Sequence, residues 1–255
     1  MNRRLLVGVV GFIVVLAMLP VGVFGIGLMV ARSGNLPVEP GSTLAEGRVT
    51  LISESLTNAF VIRIDDGVVL IDAGVSPEGM VEALAAVDVD PQDVRAVFLT
   101  HGQYDHVGGL DAFPGALIYA AEAEIPLLTG RAIPQSPAGQ FIGPNDAHVS
   151  LQQALHDGDE VMVGDLKVTA YLLPGYTMGS MAYLAAGVLF LGDNAGAAAD
   201  GSIKQAPWVF TADRAQNHAS LVALRDRLPA QRVTGLAFGR TGSLSSVEPF
   251  LAYGR

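Results

Sequence analysis

The chain has no cysteine among its 255 residues. Disulfides and thiolate metal ligands are therefore excluded, and an oxidising compartment poses no difficulty. Basic residues are also scarce: from residue 33 onward, 12 Lys and Arg face 25 Asp and Glu, a formal net charge of −13. Nucleic acid and anionic lipid are poor partners for such a surface, because both call for positive charge. Tryptophan occurs once and histidine only five times. Any site built from imidazoles has to draw on a very small set.

What is present is, first, apolar. Leu5 to Ala31 are 27 consecutive residues without a charge. As a helix they would span about 40 Å, against a hydrocarbon core of about 30 Å. This predicts a transmembrane anchor over residues 1–32, with the membrane contact made by residues 5–31 and a tilt or kink at Pro20. A secretory signal peptide is the rival reading, since Arg3 and Arg4 precede the run, but the run is too long and lacks a clear small-x-small cleavage site. Arg3, Arg4 and the terminal amine outweigh Arg32, which keeps the N-terminus cytoplasmic and the rest extracytoplasmic, or periplasmic. Gly22, Gly25, Gly27 and Ala31 are small enough for close packing against an integral membrane partner. Residues 33–46, with Pro37 and Pro40, read as a linker that gives reach without structure, and residues 47–255 are long enough for one domain.

Within that domain, β-branched runs at 49–52, 59–64 and 68–71 predict three antiparallel neighbours separated by turn residues such as Asp65-Asp66-Gly67. The third run ends on Asp72-Ala73-Gly74. A helical period follows over 77–87, carried by Met80, Val81, Leu84 and Val87. Further strands are expected at 96–99, 117–120, 160–163, 167–173, 182–186, 188–191 and 233–238, with helices at 121–128 and 211–228. Residues 129–157 and 195–210 read as loops.

Four strand ends deliver polar residues. They are Asp72; the segment Thr100-His101-Gly102-Gln103-Tyr104-Asp105-His106-Val107-Gly108-Gly109; Pro174-Gly175-Tyr176-Thr177-Met178-Gly179-Ser180; and Gly192-Asp193-Asn194. In order and interval these resemble the metallo-β-lactamase fold family, whose marks are T-H-x-H-x-D-H-x-G-G, P-G-H-T-x-G-S, G-D and a final glycine-flanked histidine. The resemblance spans residues 47–242. It implies an α/β fold, an αββα four-layer sandwich with the site along one edge, preceded here by the transmembrane helix. It also implies metal ligands at His101, Asp105, His106 and Asp193, with Asp72 bracing them from below.

Three family histidines are replaced, by Gln103, Tyr176 and Arg240. Glutamine still offers a carbonyl oxygen. A phenol must lose a proton of pKa about 10 to become a good ligand. A guanidinium has no lone pair, repels a cation, and suits Asp105 and Asp193 as a forked hydrogen-bond donor. By the resemblance, the first half-site keeps only His101 and Asp193. The second keeps Asp105, His106 and Asp193, enough for one ion if Arg240 points away.

The sequence thus predicts a membrane-anchored pseudoenzyme with a degenerate site, a structural or interaction subunit of a membrane assembly. The alternative is a mononuclear hydrolase of an ester, lactone, thioester or β-lactam. The implied cofactor is none or a single divalent ion, zinc before others. His148, His156 and His218 read as surface or loop residues, and Tyr104, Phe141 and Trp208 as pocket lining or packing.

Overall fold

The β-branched runs pair where their apolar faces require it. The computed structural model describes residues 34–142, 149 and 151–255. Strands β1 (Thr43–Leu44), β2 (Val49–Glu54), β3 (Thr57–Ile64) and β4 (Gly67–Ile71) form an antiparallel meander. β4 then pairs in parallel with β5 (Val94–Phe98), β5 with β6 (Leu117–Ala121) and β6 with β7 (Gln153–Leu155), which completes a seven-stranded mixed sheet. The chain continues through β8 (Glu160–Val163), β9 (Leu166–Leu172), β10 (Met181–Ala185) and β11 (Val188–Phe190). A small hairpin of β12 (Ala195–Ala197) and β13 (Ile203–Gln205) precedes β14 (Gly235–Ala237). The second sheet has the order β14-β11-β10-β9-β8.

Alternation along the strands sends side chains to two faces, and the buried residues sort into three clusters that define four layers. Between the sheets lie Phe60, Ile62, Phe98, Tyr119, Tyr183 and Phe190 among others. Phe98 stacks on Tyr119 with centroids 4.6 Å apart and meets Tyr183 edge-on at 5.4 Å. The outer face of the first sheet packs on Met80 and Leu84 of the helix Pro77–Ala85. The outer face of the second packs on Leu221 and Leu224 of the helix Arg214–Arg227 and on Phe250. Each fully buried side chain of this size contributes about 1.5–3 kcal/mol. The architecture is a mixed α/β sandwich in αββα order.

Some of the fold differs from the sequence reading. β7 lies inside the stretch 129–157 and the β12–β13 hairpin inside 195–210; at three residues each, these strands are too short to show a period. The helix expected at 121–128 is a 3-10 turn, Glu122–Glu124, followed by a single helical turn, Ile125–Leu128. The described linker residues are laid onto the domain. Asn35 bridges Ala198, Leu36 N donates to Ala197 O (2.9 Å), Gly242 N donates to Leu36 O (3.0 Å), and Gly41 N donates to Leu51 O (2.8 Å). Leu36 also packs on the outer core of the second sheet. The predicted anchor, residues 5–31, lies outside the described residues; among those described, no helix is long and apolar enough to cross a membrane.

Candidate functional site

Strands β4 and β5 run parallel, so the loops leaving their ends emerge on one edge of the sandwich. Asp72 follows β4 directly. Its φ of +64° is unusual for a residue with a side chain. That turn aims the carboxylate inward: Oδ1 accepts from Thr100 N (2.7 Å) and Oδ2 from Thr100 Oγ1 (2.8 Å). His106 Nδ1 donates to the same Oδ2 at 2.8 Å. Asp72 thus orients His106 and fixes which of its nitrogens faces the site.

Proton counting settles His101 as well. The single hydroxyl hydrogen of Thr100 goes to Asp72, so His101 Nδ1, 3.0 Å from Thr100 Oγ1, has to donate. His101 Nε2 is left with a bare lone pair and no partner. Burial, with the charge on His106 adding to it, pushes His101 down to about 4, so the ring is neutral across ordinary pH. Burial also opposes charge on His106, but Asp193 and Asp72 outweigh it and raise that imidazole to about 10. The two rings lie 4.0 Å apart between centroids.

Arg240 occupies the middle of the site. Its Nε donates to Asp193 Oδ2 (2.7 Å) and its Nη2 to Asp105 Oδ2 (2.5 Å), while Nη1 reaches Thr57 Oγ1 at 3.2 Å. Thr57 in turn donates to Asp105 Oδ2 (3.2 Å). Burial alone would raise both carboxyls, yet Arg240 holds Asp105 below the usual range and, with His106, holds Asp193 well below it. Tyr176 donates its hydroxyl to Asp193 Oδ2 at 2.8 Å, with Gln103 Oε1 at 3.1 Å. Burial and the Asp193 charge drive the phenol well above its ordinary value, so Tyr176 keeps its proton.

The backbone permits this crowding at particular points. A Cβ on Gly239 would stand 2.1 Å from Asp193 Oδ1, so only glycine fits beside the carboxylate. Asn58 Nδ2 donates to Phe238 O and Thr241 O, both at 2.9 Å, which pins the loop carrying Arg240 against β3. Sequence reasoning missed Glu124. It is almost fully buried and accepts from Gly102 N (2.9 Å) and Gly179 N (3.0 Å), tying the His101 loop to the Tyr176 loop. Burial pushes its carboxyl up against the pull of those bonds. Two glutamates alternate at 122 and 124, and only the fold distinguishes the exposed one from the buried one. Because Glu124→Gln removes one of two acceptors, we expect it to cost about 1–3 kcal/mol of stability, read as a lower urea midpoint with unchanged slope.

The predicted site residues therefore come together, but in a different grouping from the implied half-sites. Ligand atoms of His101, His106 and Asp193 lie within 4.8 Å of one another, a group able to hold one metal ion. Asp105 is turned to Arg240 instead. Elsewhere, His156 Nε2 lies 2.8 Å from Glu122 on the exposed surface, and His218 Nδ1 lies 2.9 Å from the Tyr253 hydroxyl. Tyr104 and Trp208 are exposed; His148 lies outside the described residues.

Does the site fit the two zinc ions that the fold implies? Neither implied half-site is intact: Tyr176, a protonated donor, stands where the first needs a histidine lone pair, and Arg240, bonded to Asp105 and Asp193, stands where the second needs one. One position fits a single ion that displaces the Nε2 proton of His106: His101 Nε2 and Asp193 Oδ1 are buried without a hydrogen-bond partner, and His106 Nε2 lies 3.4 Å from Asp193 Oδ1.

An αββα sandwich with histidines and aspartates gathered at one strand-end edge defines a class of metal-dependent hydrolase folds and their derivatives. The comparisons make the family explicit. The metallo-beta-lactamase superfamily matches residues 52–235, and the chain belongs to that superfamily. It is 32% identical over 169 residues to a hydroxyacylglutathione hydrolase of Aeromonas hydrophila, across 65% of this chain and 54% of that protein. The chain thus spans about half the length of that relative. Among solved structures, a B3 metallo-β-lactamase described as the first with an active-site glutamic acid aligns with a TM-score of 0.64 at 23% identity, over 89% of this chain and 90% of the other. The subclass B3 enzyme BJP-1 of Bradyrhizobium japonicum aligns with a TM-score of 0.59 at 20% identity, over 82% and 80%. At those identities the structural likeness is one of fold.

Proposed function

We propose that this chain is a membrane-tethered metallo-β-lactamase-fold protein that has lost two-metal hydrolysis. In this reading it serves as a structural or interaction subunit on the extracytoplasmic face of an integral membrane assembly. The observation that carries the reading is Arg240, bonded at once to Asp105 and Asp193. Its charge does for the two carboxylates what a second cation does elsewhere in the fold, and it has no lone pair with which to bind one. The uncharged run at residues 5–31 supports tethering, and its small residues support packing on a membrane partner. Extraction in mild detergent tests this: the full chain is expected to migrate with an integral membrane protein and to carry well under one equivalent of tightly held metal. A lone monomer counts against it.

The partnerless lone pair of His101 and the partnerless Asp193 Oδ1 favour a second reading, a single-ion hydrolase. His101, His106 and Asp193 would hold the ion, which would supply Lewis acidity. Arg240 and Tyr176 would keep Asp193 oriented. The similarity to a hydroxyacylglutathione hydrolase and to β-lactamases puts thioester and β-lactam substrates first, with esters and lactones next. One equivalent of metal, together with hydrolysis abolished by a chelator and restored by zinc, selects this reading over the first.

A further inference from the structure

We propose that the rim of the site is a membrane-docking surface, holding the domain against a zwitterionic phospholipid interface with Trp208 in the headgroup layer. This rests on the tethered reading above and goes beyond it, because a tether alone does not say which face meets the bilayer.

Among the described residues, five of the eight exposed large apolar side chains belong to segments around this edge, while Val81, Leu117 and Met162 lie elsewhere on the domain. Trp208 is 57% exposed, Tyr104 and Met178 47%, Ile133 44% and Leu56 43%. A chain of bonds joins the segments that carry them. Arg240 Nη1 reaches Leu56 O at 3.5 Å and Nη2 reaches Asp105, the neighbour of Tyr104. Tyr176, two residues before Met178, shares Asp193 with Arg240. Ala212 N donates to Tyr176 O, and Ala138 N to Val209 O, which brings in the segments of Trp208 and Ile133.

The polypeptide enters the domain at the same edge. Asn35 bridges Ala198, just beyond β12, and Leu36 accepts from Gly242, two residues past Arg240. Only Arg32, Ser33 and Gly34 separate the uncharged run from Asn35. Four Cα steps reach at most about 14 Å. The headgroup layer of one leaflet takes up about 5–7 Å of that. So short a connection favours the edge nearest the entry as the one that meets lipid.

Charge identifies the lipid. With a net charge of −13 over residues 33–255, the domain is not drawn to anionic headgroups. Tryptophan and tyrosine favour the interface through an apolar ring and a polar handle, which needs no charge.

Trp208 is the only tryptophan, so intrinsic fluorescence reads this surface alone. The experiment uses the full chain in phosphatidylcholine vesicles. We expect the chain to float with the vesicles, its emission to be blue-shifted and shielded from iodide, and most of it to be lost when the acyl chains carry bromine. The double variant Leu56→Asp, Met178→Glu is expected to float still, with Trp208 now open to iodide. A floating wild-type chain whose Trp208 is quenched by iodide and untouched by bromolipid overturns the proposal and leaves the tether standing. Trp208 shielded from both quenchers also overturns it, since protein then covers the rim. A chain that does not float overturns the tethered reading and this proposal with it.

Discussion

Replacing Arg240 with methionine is expected to lower the stability of the domain by about 3 kcal/mol, near the low end for breaking a buried ion pair. The low end applies because a third of the Arg240 side chain remains in water, whereas Asp193 is only 4% exposed. Without the guanidinium, the carboxylates of Asp105 and Asp193 face each other with only His106, Tyr176 and Thr57 to offset them. Adding Asp193→Asn should recover part of the loss, since the more deeply buried of the two uncompensated charges is then gone. A double-mutant cycle in urea measures this directly. Additive losses would mean that Arg240 and Asp193 do not act on each other.

The metal-free chain should be most stable near pH 6.5. The reason is two neighbouring histidines displaced in opposite directions. His106 is raised in the fold to about 10 from 6.5, so its contribution is complete below 6.5 and is lost as pH rises towards 10. His101 is lowered to about 4, so its contribution is complete above 6.5 and is lost as pH falls towards 4. Below that, protonation of Asp105 and Asp193, both held low by Arg240, removes more. Each limb amounts to a few kcal/mol, because a tenfold change in proton affinity on folding is worth about 1.4 kcal/mol. Denaturant melts in EDTA from pH 4 to 10 check the shape, and His106→Asn should flatten the alkaline limb and reduce the acid one only in part, since burial remains the main cause of the His101 depression.

Much of the architecture could be read from the chain because it rests on local signals. The β-branched runs around residues 49–71 fix a meander, and the glycine-flanked polar motifs fall at strand ends that the fold brings together. The conflict at Arg240 was legible too, since a guanidinium has only donors to offer and two aspartates were at hand. Other features depend on contacts distant in sequence. Nothing in residues 121–128 says that Glu124 rather than Glu122 turns inward to bind Gly102 and Gly179. The proline-containing stretch that reads as a free linker becomes ordered only because Ala197, Ala198 and Gly242 present partners to it. The grouping of His101 with His106 and Asp193, without Asp105, follows from where each carboxylate points once Arg240 has bonded both, a matter of side-chain geometry that spacing does not carry.

Arg240, Tyr176 and Gln103 stand at the three positions where the resemblance puts family metal ligands. Counting zinc per chain after saturation and gel filtration tests this placement most directly, with the wild type set beside the triple variant Gln103→His, Tyr176→His, Arg240→His. No second ion is expected in the wild type, and a clear rise in bound zinc is expected in the variant. Two tightly held ions in the wild type, or no rise in a folded variant, would contradict the placement.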